Sequence, residues 1–105
     1  MSMARVDGSR FQDRVMVITG AAQGIGRRVA ERAAAEGARL ALVDRADIVQ
    51  EVVEELTAQG VDAIALQADL ETWEGAEDVM ARSVAHFGRI DILINNVGGA
   101  INFKP

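Results

Sequence analysis

Short apolar runs alternate along this chain with longer stretches in which apolar residues recur every three or four positions. Val15-Met16-Val17-Ile18 is an apolar, largely β-branched run, the pattern of a strand buried on both faces. Ile25 to Glu36 follows helical spacing, with Ile25, Val29, Ala30 and Ala33 on one face and Gly37 at the C-cap position. Arg39 to Val43 predicts a second strand. Asp47 to Gln59 predicts a second helix, with Asp47 as N-cap, Gln50 completing a capping box, and Val49, Val52, Val53 and Leu56 as its stripe before Gly60. Asp62 to Gln67 reads as a third strand. Trp73 to Phe87 reads as a third helix whose Trp73, Ala76, Met80, Val84 and Phe87 form the core face, ending at Gly88. Ile90 to Ile94 is a fourth strand whose near-continuous apolar character is again that of burial on both faces, and Asn95 to Pro105 reads as loop.

This order is β-α-β-α-β-α-β with short connections. Parallel strands need such crossovers, and their right-handedness puts helices on both faces of the sheet. The expected fold class is α/β, a Rossmann-like doubly wound parallel sheet in its amino-terminal half, with strand order 3-2-1-4. Residues 1–10 read as a polar, flexible leader and residues 11–105 as a dinucleotide-binding unit expected to continue beyond the given sequence.

Composition narrows the partners. Half of the 105 residues are apolar and 26% are charged, a globular balance. A net charge of −5 argues against nucleic acid or an anionic membrane surface, yet leaves room for an anionic ligand held by backbone amides. No cysteine is present, which removes disulfides, thiolate metal sites and a thiol nucleophile, and fits a cytoplasmic protein. No apolar run is long enough to span a bilayer.

The chemistry concentrates at the ends of the strands. Gly20, Gly24 and Gly26 form G-x-x-x-G-x-G between the first strand and the first helix. Lacking Cβ atoms, they permit a sharp turn and let a bulky group approach the helix start, where unpaired amides and the dipole favour a pyrophosphate. A purely structural turn is the alternative. Asp44 ends the second strand at the distance from the glycines suited to an adenosine ribose. A carboxylate there repels a 2′-phosphate and favours NAD over NADP. Arg45 pulls the other way, because a guanidinium can hold that phosphate. Asp69 follows the third strand, where it is either an adenine acceptor or a turn residue. Asn95, Asn96, Val97, Gly98 and Gly99 leave the fourth strand at the same edge; their amides can tie strand ends together and their glycines leave room for ribose. Arg27 and Glu31 have the spacing of an ion pair on an exposed helix face. His86, the single histidine, reads as a surface residue complementing a helix dipole.

"TGAAQGIG", "VDR", "ADL" and "NNVGG", in that order and spacing, resemble the short-chain dehydrogenase/reductase family from about Phe11 onward. The resemblance implies a Rossmann fold, a nicotinamide dinucleotide, a small-molecule substrate and a homo-oligomer, commonly a tetramer. It implies that Gly20, Gln23, Gly24, Ile25 and Gly26 meet the pyrophosphate and Asp44 the adenosine ribose. It likewise brings Asp69 and Leu70 to the adenine, and Asn95, Val97 and Gly98 near the cofactor. Most members carry alanine where Val97 stands. That departure, with "GGAINFKP", resembles the branch that oxidises cis-diol acids of benzoate degradation to catechols with NAD, releasing carbon dioxide. The family's Ser, Tyr and Lys have no counterpart among these residues: there is no tyrosine, Ser83 lies within the third helix and Lys104 in a loop. No catalytic residue is assigned, and a catalytically inactive nucleotide-binding or interaction module is the rival expectation.

Overall fold

The computed structural model describes residues 10–96. The apolar runs become four strands: β1 (Val15–Thr19), β2 (Arg39–Asp44), β3 (Ala63–Gln67) and β4 (Ile92–Ile94). They alternate with three helices, α1 (Gly24–Ala35), α2 (Ile48–Ala58) and α3 (Trp73–Phe87). The sheet order is β3-β2-β1-β4, all parallel, as the alternating pattern predicts. Val17 pairs with Ala41 on one side and with Leu93 on the other, so β1 is central.

Side chains alternate across the sheet and build one core on each face. Met16, Ile18, Leu40 and Leu42 pack with Ala30 and Ala33 of α1 and Val49, Val52 and Leu56 of α2. Val15, Val17, Ala41, Val43 and Leu66 point the other way and pack with Val79 and Phe87 of α3. Each fully buried large side chain, such as Ile18 or Leu42, contributes about 1.5–3 kcal/mol of burial. Among the described residues no helix is long and apolar enough to cross a membrane.

Four expectations are corrected. Asp47 precedes α2 in a helical conformation (φ −69°, ψ −13°) and its side chain makes no cap bond, so the capping box is absent. Gln50 instead donates its backbone N–H to the Asp47 carbonyl at 3.0 Å. A capping side chain needs an extended backbone at its own position to turn back on the helix, which Asp47 lacks. On α1, Ile25 is 72% exposed, and the buried positions are Gly26, Ala30 and Ala33. Ile25 sits in the first turn of α1 and lines an open groove with Val29, Met16 and Ile94 instead of packing into the core.

On α3 the buried line is Val79, Ser83 and Phe87, whereas Trp73, Met80 and Val84 are exposed. The Ser83 hydroxyl donates to the Val79 carbonyl at 2.7 Å, and that bond lets a polar residue occupy the core line. Finally, β4 is not buried on both faces, and Leu93 is half exposed.

Candidate functional site

All four strands end at one edge of the sheet, and the loops leaving them carry the candidate residues. β1 ends at Thr19, whose side chain is buried. Its hydroxyl donates to Asn95 Oδ1 at 3.0 Å and accepts the Asn96 N–H at 2.8 Å. The Asn96 amide in turn reaches the Gly20 carbonyl at 3.5 Å. One threonine thereby ties the end of β1 to the residues leaving β4. Pattern reading treats Thr19 as the place where a strand stops. The signal was available, because a buried hydroxyl at the end of an apolar strand must find partners.

Gly20 then turns the chain with φ +64°, in the left-handed region that favours glycine. Gln23 is extended (φ −160°, ψ 176°) and makes no side-chain bond to the helix it precedes; no acidic residue stands in the first turn. The start of α1 therefore presents its first amides without a side-chain cap, next to Gly24, where a Cβ would meet nothing within 4 Å. Gly26 is constrained differently: a Cβ there would lie 2.0 Å from the Gly20 carbonyl oxygen and 2.9 Å from Asn96 Nδ2. The missing side chain lets the helix start sit directly on the strand end. Gln23, Gly24 and Ile25 are exposed and Gly26 is buried. The contrast with α3 is direct, since Thr72 caps that helix by accepting the Gly75 N–H at 2.9 Å.

Asp44, at the end of β2, turns toward this loop. Its Oδ2 accepts the Ala22 N–H at 3.0 Å and its Oδ1 accepts the Ala46 N–H at 3.0 Å. Each carboxylate oxygen has further lone pairs, so two backbone bonds orient the group without exhausting it. The glycine loop and Asp44 are thus brought together as the spacing predicts. The link through the Ala22 amide was not foreseen, because nothing in a side-chain pattern marks a backbone donor.

Asp69 stands beyond β3, exposed, with its Oδ1 accepting the Glu71 N–H at 2.9 Å and its carbonyl accepting the Thr72 hydroxyl at 3.1 Å. It therefore builds the turn into α3 and still lies at the same edge as the other candidates. Leu70 is half-buried against the second core. An apolar groove of about 380 Å³ runs between α3 and the end of the sheet, lined by Val17, Thr19, Leu70, Met80, Leu93 and Asn95. Val97 and Gly98 lie outside the described residues. Among the described residues no group of three or more His, Asp or Glu side chains is placed to hold a metal ion.

The decisive comparison is with family models: that for short chain dehydrogenases matches residues 14–105. The chain belongs to the short chain dehydrogenase family. A curated relative, the 1,6-dihydroxycyclohexa-2,4-diene-1-carboxylate dehydrogenase of Acinetobacter baylyi, is 57% identical over 91% of this chain and 37% of its own length. The chain thus spans little more than a third of that relative. Among solved structures, a short chain dehydrogenase/reductase of Burkholderia phymatum in complex with NAD is similar with a TM-score of 0.78 and 31% identity. That match covers 79% of this chain and 30% of the other. A blue fluorescent protein from a metagenomic library, in complex with NADPH, has a TM-score of 0.81 at 30% identity, covering 86% of this chain and 38% of the other. Membership of the family agrees with the observed strand order and with the loops gathered at one sheet edge.

Proposed function

We propose that this chain is the dinucleotide-holding part of an NAD-dependent dehydrogenase that oxidises a cis-dihydrodiol carboxylate to a catechol. The observation that carries the cofactor half of this proposal is the Asp44 carboxylate hydrogen-bonded to Ala22 in the glycine loop, beside a helix start with no side-chain cap. Backbone amides with a positive dipole suit a pyrophosphate, and the open space at Gly24 leaves room for it. Asp44, held by two amides, has lone pairs left for ribose hydroxyls and a charge that repels a 2′-phosphate. Gly20, Gln23, Gly24, Ile25 and Gly26 would face the diphosphate. Asp69 and Leu70 would flank adenine, and Asn95, Val97 and Gly98 would lie near the cofactor.

The dinucleotide, when bound, supplies a hydride acceptor; this chain's residues hold and orient it. Support for the substrate class comes from the dihydroxycyclohexadiene carboxylate dehydrogenase at 57% identity. The overall conversion balances: a cis-diol carboxylate and NAD give catechol, carbon dioxide and NADH. The same proposal makes the protein a cytoplasmic homotetramer acting on a small molecule.

Calorimetric titration of the full natural chain with NAD and NADP tests the cofactor half. Asp44→Ala should weaken NAD by about tenfold or more, the worth of charge-assisted bonds to the ribose, and should leave NADP unchanged or tighter. Asp44→Asn, which retains an acceptor for the Ala22 N–H, separates loss of charge from loss of the loop contact. Equal weakening of both dinucleotides by the two variants would refute the ribose role. For the substrate half, the full chain given 1,6-dihydroxycyclohexa-2,4-diene-1-carboxylate and NAD should yield equimolar catechol and NADH.

A further inference from the structure

One charged pair at the adenosine end of the site is used neither by the glycine loop nor by Asp44. Arg45 directly follows Asp44, and its Nη1 lies 3.5 Å from Oε2 of Glu71, on the loop after β3. The backbones carrying the pair are held on both sides. The Arg45 carbonyl accepts from Gln67 Nε2 at 3.0 Å, and the next residue, Ala46, donates its N–H to Asp44. The Glu71 N–H is bound to Asp69 Oδ1 at 2.9 Å. The two side chains themselves are exposed, at 63% and 72%.

An arginine beside a ribose-reading carboxylate is a contradiction in specificity. A guanidinium offers a planar fork of donors matched to phosphate oxygens, so an unengaged Arg45 would favour the 2′-phosphorylated dinucleotide that Asp44 disfavours. An exposed ion pair contributes little to folding, which makes the Arg45–Glu71 pair a weak scaffold. Its effect on a nearby ligand charge is larger than its effect on stability, because the carboxylate draws one guanidinium nitrogen toward itself and adds a like charge beside any phosphate bound there. We propose, resting on the ribose role given above to Asp44, that Glu71 is a cofactor-specificity residue. It holds Arg45 across the ends of β2 and β3 and withholds that guanidinium from a 2′-phosphate.

The test is a double-variant cycle on the full natural chain, with NAD and NADP titrated by calorimetry into wild type, Glu71→Gln, Arg45→Ala and the double variant. Glu71→Gln should tighten NADP about threefold at low salt and leave NAD within about twofold, in keeping with the small worth of an exposed pair. The gain should vanish in the Arg45→Ala background and shrink at about 0.5 M salt, where charges are screened over a few ångströms. An unchanged NADP-to-NAD ratio in Glu71→Gln, with normal NAD binding, overturns the role of Glu71 and leaves that of Asp44 standing. A gain that persists without Arg45 also overturns it, since Glu71 would then act by bulk charge alone. Failure of the wild type to bind either dinucleotide refutes the ribose role of Asp44 and Glu71's role with it.

Discussion

At the scale of single residues, the site depends on where side chains are missing as much as on where they are present. Gly26 is the sharpest case, because a Cβ there would sit 2.0 Å from the Gly20 carbonyl oxygen, a backbone atom that cannot swing aside. Gly26→Ala should therefore push the start of α1 off the end of β1. A cost of about 1–3 kcal/mol is expected for overpacking of this kind, measured as a lowered thermal midpoint of the full chain. Dinucleotide binding should fall with it, because the amides of that turn move. Gly24→Ala is the control: it meets no neighbour within 4 Å, and its strain comes from φ +63° alone. An unaltered midpoint for Gly26→Ala would show that the helix start is free to shift. These glycines were legible because their spacing follows a strand and precedes a helix. Asp44 was legible through its distance from them. Thr19 was legible only as a buried hydroxyl in need of partners, since those partners stand 76 and 77 residues away in sequence, which no local pattern reports. The Ala22 amide was not, because a backbone donor leaves no mark in a side-chain pattern.

At the scale of elements, connection length and handedness marked a parallel sheet and the dinucleotide-binding pattern supplied its order, whereas the face each helix buries did not follow from periodicity. α3 carries apolar residues on two lines that meet at Phe87, the expected Trp73-Ala76-Met80-Val84-Phe87 and the observed Val79-Phe87, so of the expected face Phe87 is the residue that is buried. Ser83 sits within the second line and makes it look polar, although its hydroxyl is satisfied by the Val79 carbonyl. Count alone favours the first line, and the sheet selects the second. β4 shows a related limit. Its attachment to β1 at the edge opposite the site uses Asp91, which donates its N–H to the Val15 carbonyl at 2.9 Å and accepts the Val15 N–H on Oδ2 at 2.9 Å. Arg89 Nη2 bonds Oδ1 at 2.7 Å. The Arg89 hydrogen bond first, then the Val15 amide, holds the Asp91 carboxyl below the ordinary carboxylate range. A carboxyl lowered in the folded state adds stability that is present above its unfolded pKa and lost as pH falls through its folded one. Asp91→Asn should thus lower the thermal midpoint at neutral pH. The gap from wild type should close as the pH drops from about 4 downward, the ordinary value for aspartate. A gap that stays constant to acid pH would show that the Asp91 charge plays no part in the latch.

At the scale of the whole molecule, the described residues leave one side of the sheet incompletely covered. Met80 and Val84 of α3 and Leu93 of β4 are exposed, and the apolar groove beside them opens between helix and sheet. Among the described residues β4 pairs with β1 on one side only, so its outer edge offers unpaired backbone groups next to an exposed leucine. Such an edge templates pairing with another chain. Charge does not protect it: of the three strand residues, Ile92, Leu93 and Ile94, none is ionisable. Prepared alone, the 105-residue chain should therefore associate, running as a dimer or larger on size exclusion even at low concentration. Leu93→Lys places a charge on the exposed face of that strand and should shift the population toward monomer, as inward or edge lysines do in natural sheets. Leu93 also lines the groove, so Leu93→Lys alters edge and groove together, whereas Met80→Lys changes the groove alone and leaves the strand edge intact. If both variants associate as strongly as the parent, the contact lies elsewhere. A parent chain that is monomeric and melts sharply would mean that the edge and the groove are too small to drive pairing on their own.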